Sequence, residues 1–263
     1  MVNHPKGREI LIHHGYLDKI PLLLPPIQPN PQLLFPNQLA FVNPNEKEEI
    51  ISVQTLTNNY ISQLIALTKH QFEDLPPEIA QTIFSLFEPL HQLFESNLIY
   101  ASNIIEAYYY LLRSNEIFLD PFISSNIMAN FISSKCNNTN FIFKLLILMK
   151  FLCNQNDDIA HYLIEIGSIE FAIRNMKVDI DQHGQICSKS IQFITDLMFH
   201  CPETICDIYL TAVPELIADM LNDNDTTGIQ KVDLLSFVIV MMTLASTEIY
   251  VEIAKDYGYY KLL

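Results

Sequence analysis

His183, Cys187, His200, Cys201 and Cys206 lie close together in the chain and are the residue types that hold zinc. A zinc site needs ligands that converge on one point, commonly as CxxC or HxxxH pairs. Cys187 and His200 instead fall near opposite ends of one predicted helix, which at 1.5 Å per residue sets them about 20 Å apart. Buried or half-buried thiols of a helical core are the better reading, and no metal site is expected. "DNDTTGIQKVDL" (223–234) begins like a calcium loop, with Asp223, Asp225, Thr227 and Gly228 at positions 1, 3, 5 and 6. Position 12, which must carry a bidentate glutamate, is Leu234. The stretch therefore reads as a turn between helices. His13, His14 and the scattered serines and aspartates form no catalytic set. The six glycines (Gly7, Gly15, Gly167, Gly184, Gly228, Gly258) make no GxG pair. A phosphate cradle needs clustered glycines so that backbone can approach the anion. No GxSxG elbow and no HExxH helix is present. No residue is expected to be catalytic, to bind a cofactor or to hold a metal, no cofactor is expected, and the chain reads as not an enzyme.

The chemistry-bearing residues sit in a chain of 263 residues, 49% of them hydrophobic, which supplies ample core and argues against disorder. Acidic residues outnumber basic ones by 30 to 15, a net charge of −15. That charge repels nucleic acid. It suits solubility, or basic proteins and peptides as partners. The five cysteines are an odd number, and "MVNHPKGREILIHHGY" has no long apolar core of a signal peptide. Reduced thiols in a cytosolic or nuclear protein are expected. The sequons at Asn137 and Asn224 then carry no meaning. The longest apolar stretches, such as "LLSFVIVMMTLA" (234–245), fall short of the roughly 20 residues a membrane span needs.

Strand signals are scarce and helical spacing runs throughout, as in "PEIAQTIFSLFEPLHQLFES" (77–96). The chain is expected to be all-α. The helices also repeat. "DDIAHYLIEIG" precedes Gly167 and "SIEFAIRNM" follows it. The same shape recurs around Ser125 in "NEIFLDPFISSNIMANFIS", around Thr211 in "PETICDIYLTAVPELIADML" and around Gly258 in "STEIYVEIAKDYGYYKLL". A longer helical run precedes each anchor: Leu98–Arg113, Asn140–Cys153, Gln185–Phe199 and Gln230–Ala245. The unit is a short helix, a small residue, a second helix, a polar turn and a longer third helix. Glycine or a small stand-in lets the chain turn sharply between the two short helices.

The period, "IGSIEFAIRNM" and above all "AVPELIADML" (212–221) resemble the armadillo repeat, over roughly residues 98–263. The resemblance implies a right-handed α-solenoid of about five to six three-helix repeats, with 1–263 as one repeat domain. Upstream, "REILIHHGYLDKIPLLL" (8–24) matches the first two helices around Gly15. "PPIQPNPQLLFPNQLAFVNPN" then intervenes, with too many prolines for a helix. Residues 25–45 read as an inserted, exposed and mobile Pro/Asn-rich loop. A helix is expected to resume near Glu46–His70, and helix 77–95 to belong to a shortened repeat.

In armadillo proteins the third helices line a concave groove that binds extended peptides or other proteins. The importin-alpha branch reads basic signals there with Trp-x-x-x-Asn. Ile104, Leu146, Gln192 and Phe237 align with the tryptophan, and Tyr108, Lys150, Asp196 and Met241 with the asparagine. The chain has no tryptophan, so neither half of that motif is present. The groove residues expected to meet a partner are Tyr108, Lys150, Asp196, Phe237 and Met241. Of the run Tyr108–Tyr109–Tyr110, at least one ring must be exposed, because consecutive helical residues diverge. The implied function is a protein-binding scaffold or adaptor. The alternatives are a divergent importin-alpha-like transport receptor or a regulatory subunit that docks on an enzyme or chaperone. The bare apolar end "YYKLL" (259–263) suggests end-to-end self-association, or a fragment of a longer array.

Overall fold

The computed structural model describes Ile12, residues 15–21, 44–176, 185–223, Thr226, 228–246 and Val251. Among these residues there are helices and turns and no strand. The chain divides into two compact units, Met1–Asn130 and Phe131–Leu263.

The first unit holds α1 (Pro44–Thr68), α2 (Pro77–Ser85), α3 (Glu88–Ser96), α4 (Ala101–Ser114) and α5 (Leu119–Ser124). Helix α6 (Ile127–Ser133) runs across the boundary. The second unit holds α7 (Thr139–Cys153), α8 (Asp157–Glu165), α9 (Ser168–Met176), α10 (Gln185–His200), α11 (Thr204–Tyr209), α12 (Val213–Asn222) and α13 (Gly228–Leu244). In chain order the pattern short, short, long recurs in α2–α4, α5–α7, α8–α10 and α11–α13. The long members match the third helices read from the sequence to within three residues at each end.

The turn between short helices is solved in three ways. Gly167, between α8 and α9, has φ +85 and donates its N–H to the Ile164 carbonyl at 3.0 Å. Between α5 and α6 the left-handed residue is Asn126, φ 57, one place after the expected anchor Ser125. Asparagine tolerates that region better than most residues. Ser125 donates its hydroxyl to the Phe122 carbonyl at 2.6 Å, and Thr211 does the same to Ile208 at 2.6 Å. A hydroxyl thus satisfies a helix-end carbonyl where glycine is absent.

Asparagines start the helices. Asn97 and Asn138 precede α4 and α7, and Asn115 and Asn156 precede the α5 and α8 segments, each pair 41 residues apart. Each side-chain oxygen accepts a backbone N–H at the start of the turn, from Ile99, Phe141, Ile117 and Ile159, at 2.8–3.1 Å. Such caps stabilise a helix by about 1 kcal/mol each.

The single helix expected over 77–96 is instead α2 and α3 with a bend at Leu86–Phe87. Pro89 explains it: proline has no N–H for the Ser85 carbonyl, and its ring crowds that carbonyl. Two buried tyrosines complete the bend. Tyr60 donates to the Leu86 carbonyl at 2.6 Å, and Tyr108 donates to the Phe87 carbonyl at 3.0 Å. Together α2, α3 and α4 give the full short–short–long pattern, so the shortened repeat expected there is corrected.

The expected helix near Glu46–His70 is α1. The expected loop at 25–45 overlaps α1 at Pro44 and Asn45. Residues 25–43, Gly258 and the end 259–263 lie outside the described residues.

Candidate partner-binding face

Helices α7, α10 and α13 pack in sequence, α10 lying between the other two. Their inner faces are apolar for a plain reason: Phe141, Leu145 and Leu148 on α7, Phe193, Ile194 and Leu197 on α10, and Leu234, Phe237 and Met241 on α13 are all fully buried. Burying side chains of this size stabilises the fold by about 1.5–3 kcal/mol each. What remains outward is a polar ladder across the three helices.

On the α7 side, Lys150 Nζ lies 3.4 Å from Asp196 Oδ2 and 3.5 Å from Gln192 Oε1. Asn154 donates to the same Asp196 oxygen at 2.7 Å. Lys189 donates to Gln192 at 2.8 Å. On the α13 side, Gln192 Nε2 donates to Asp233 Oδ1 at 3.0 Å, and Ser188 donates to the other Asp233 oxygen. Below the ladder, burial first and the Asp196 charge second push the Cys153 thiol up to about 12, so it is no nucleophile at neutral pH.

Apolar groups flank the ladder. Gln192, Asp196 and Phe199 follow at spacings of four and three and share one face of α10. Phe199 is 66% exposed, its ring edge-on to His200 at 5.7 Å. On α13, Val232, Leu235 and Ile239 are 62%, 36% and 51% exposed. Asp233 faces α10, and at about 100° per residue Leu235 and Ile239 lie about 200° and 240° round the helix from it. They form the edge of α13 that points away from α10.

Two of the five expected groove residues, Lys150 and Asp196, are on this face and touch each other. The other three are corrected. Tyr108, Phe237 and Met241 are fully buried. Phe237 and Met241 stand two positions after Leu235 and Ile239, and two residues turn a helix by about 200°. A two-place register error in an all-apolar helix thus exchanges core for surface. Tyr108 packs between Phe87 and Phe122, ring centroids 5.5 and 5.4 Å away. Tyr109 and Tyr110 are half-buried beside it, with Arg113 over the Tyr109 ring at 5.4 Å. Among the positions aligned with the family's tryptophan, Ile104 and Leu146 are also buried, while Gln192 is in the ladder. Phe199 is the residue sequence reasoning missed. Its signal was available, since it continues the Gln192–Asp196 face of a helix that is otherwise polar on that side.

No family model matches the chain, and no curated protein matches it. Solved structures do share the fold. Two engineered helical repeat proteins superpose with a TM-score of 0.64 each. The first is 9% identical, over 93% of this chain and 86% of its own. The second is 11% identical, over 91% of this chain and 86% of its own. At such identity the likeness concerns the fold alone. The chain is an all-helical protein of repeat-like build, and among its described residues no helix is long and apolar enough to cross a membrane.

Proposed function

We propose that the chain is built of armadillo-like repeats and serves as a non-enzymatic protein-binding scaffold or adaptor. The observation that carries this reading is the exposed Phe199 beside a ladder whose charged groups are already engaged within it. A large aromatic held in solvent on a rigid helix is the type of residue that anchors interfaces. The partner is a protein or an extended peptide laid along α7, α10 and α13. The importin-alpha-like alternative needs carboxylates free to meet basic side chains. Asp196 is engaged by Lys150 and Asn154, and Asp233 by Ser188 and Gln192, which favours the scaffold.

The test is affinity capture from native lysate with the wild-type chain and with Phe199→Ser. Proteins held by the wild type and lost with Phe199→Ser support the reading. An identical set of captured proteins removes Phe199 from any partner site. A partner set dominated by basic peptides and released by modest salt would favour the transport alternative.

A further inference from the structure

The second unit contains a separate cluster, remote in sequence from any zinc-like spacing. His161 lies on α8, Cys201 directly after α10, and Glu203 at the start of α11. One ligand atom from each lies within 4.8 Å of the other two. We propose that His161, Cys201 and Glu203 form a binding site for a divalent transition-metal ion of the zinc class, with water completing the coordination.

The donor set fits that class. A thiolate, an imidazole and a carboxylate suit zinc and its neighbours, and exclude calcium and magnesium, which take oxygen ligands. Three protein ligands with an open position is an established zinc arrangement. In a tetrahedral zinc site the donors stand about 3.4–3.6 Å apart, so closing the group asks for about an ångström of movement. The Cys201 sulfur lies beside the imidazole ring, 3.6 Å from Nδ1, and the donor that faces Glu203 is Nε2. The side chains that must move, His161 and Glu203, are 53% and 61% exposed, which also gives the ion a way in.

The hydrogen bonds of His161 point the same way. Nδ1 lies 2.7 Å from the Asp157 backbone carbonyl, which can only accept, so Nδ1 carries a proton. A ring N–H held by a carbonyl is the usual outer support of a metal-bound histidine. Nε2 then faces Glu203 Oε1 at 2.7 Å. A neutral ring would set two lone pairs against each other there. At 2.7 Å that pair is bridged by a proton, and a metal ion takes the proton's place when the two exposed side chains part to the separation given above. Nearby, His200 Nδ1 is 2.9 Å from Asp157 Oδ1, which ties the end of α10 to the start of α8 and holds the cluster together.

The experiment is titration of the chelator-treated, full-length chain with cobalt(II), read by absorbance. A thiolate ligand gives a near-ultraviolet charge-transfer band, and tetrahedral cobalt gives intense visible bands. The expected result is saturable growth of both, bleached by zinc. Cys201→Ser should lose the charge-transfer band, while Cys206→Ser, which removes an exposed thiol, should keep it. His161→Gln and Glu203→Gln should each weaken cobalt by about tenfold or more. No band with the wild type, a band that survives Cys201→Ser, or one lost with Cys206→Ser overturns the proposal. If Cys201→Ser does not fold, the two surface variants decide. Wild-type circular dichroism with unchanged cobalt affinity in both overturns it equally.

Discussion

Tyr60 and Tyr108 show how much one hydroxyl can carry. Each ring is buried, and each hydroxyl donates to a carbonyl at the bend, Tyr60 to Leu86 and Tyr108 to Phe87, whose carbonyl also accepts the Leu90 N–H at 3.0 Å. Removing the Tyr60 hydroxyl takes that bond from the Leu86 carbonyl, which costs about 1–3 kcal/mol, whereas without the Tyr108 hydroxyl Phe87 keeps its backbone bond and the cost is about 0.5–1.5 kcal/mol. Tyr60→Phe and Tyr108→Phe should lower stability by these amounts in urea melts, with helicity retained. Tyr60 also gives a pH dependence. Desolvation pushes its phenol up to about 12 from the ordinary 10. The unfolded chain therefore releases this proton at lower pH than the folded chain does. The stabilising contribution is complete below about pH 10 and is lost as pH rises through about 12. Urea midpoints measured from pH 9 to 12 should fall more steeply for the wild type than for Tyr60→Phe. At this scale the sequence told only half of the story. At least one ring of Tyr108–Tyr110 is expected to be exposed, but Tyr109 and Tyr110 are only half-buried and Tyr108 is buried, an assignment set by a rotation of about 100° per residue that an apolar, aromatic run does not mark.

Helix boundaries were legible where polar turns and small residues punctuate the chain. The long helices α4, α7, α10 and α13 follow from the periodicity, and Gly167 from its position between two amphipathic runs. The split of 77–96 was less so, because Pro89 can be read either as a tolerated kink or as a break. The structure shows a break closed by tyrosines that arrive from α1 and α4, and no local pattern encodes those. The junctions predict different costs. At Gly167, a Cβ would meet only ordinary contact, with Glu170 Oε2 at 3.7 Å, so the penalty of Gly167→Ala is that of φ +85 itself. It should cost about 1–2 kcal/mol. Thr211→Ala leaves φ unstrained but removes the 2.6 Å bond to Ile208 and the 3.2 Å bond from the Val213 amide. A loss of about 0.5–2 kcal/mol is expected there. Parallel thermal melts of the two variants separate the mechanisms, since Gly167→Asn should recover part of the loss and Thr211→Ser nearly all of it.

For the molecule as a whole, the net charge of −15 and the apolar flank of the ladder make opposing demands on a partner. Diffuse charge steers basic partners and fades with salt, because the screening length falls from about 10 Å at 0.1 M to about 3 Å at 1 M. Contact with Phe199, Val232 and Ile239 does not fade in that way, because removal of apolar surface from water is insensitive to screening. The site was legible only in part for the same reason. Lys150 and Asp196 announce themselves as polar residues on apolar helices, whereas the exposed residues of α13 are indistinguishable in type from the buried Phe237 and Met241. The exposed set can now be tested directly. For a partner recovered by capture, Phe199→Ser combined with Ile239→Ser should weaken binding by at least about tenfold, the loss of roughly 1.4 kcal/mol or more that one good anchor supplies. The melting temperature should stay near that of the wild type, because both side chains already sit in water. Raising salt should change the wild-type affinity little. A steep salt dependence, with the double variant binding as well as the wild type, would place recognition on the acidic surface and not on this face.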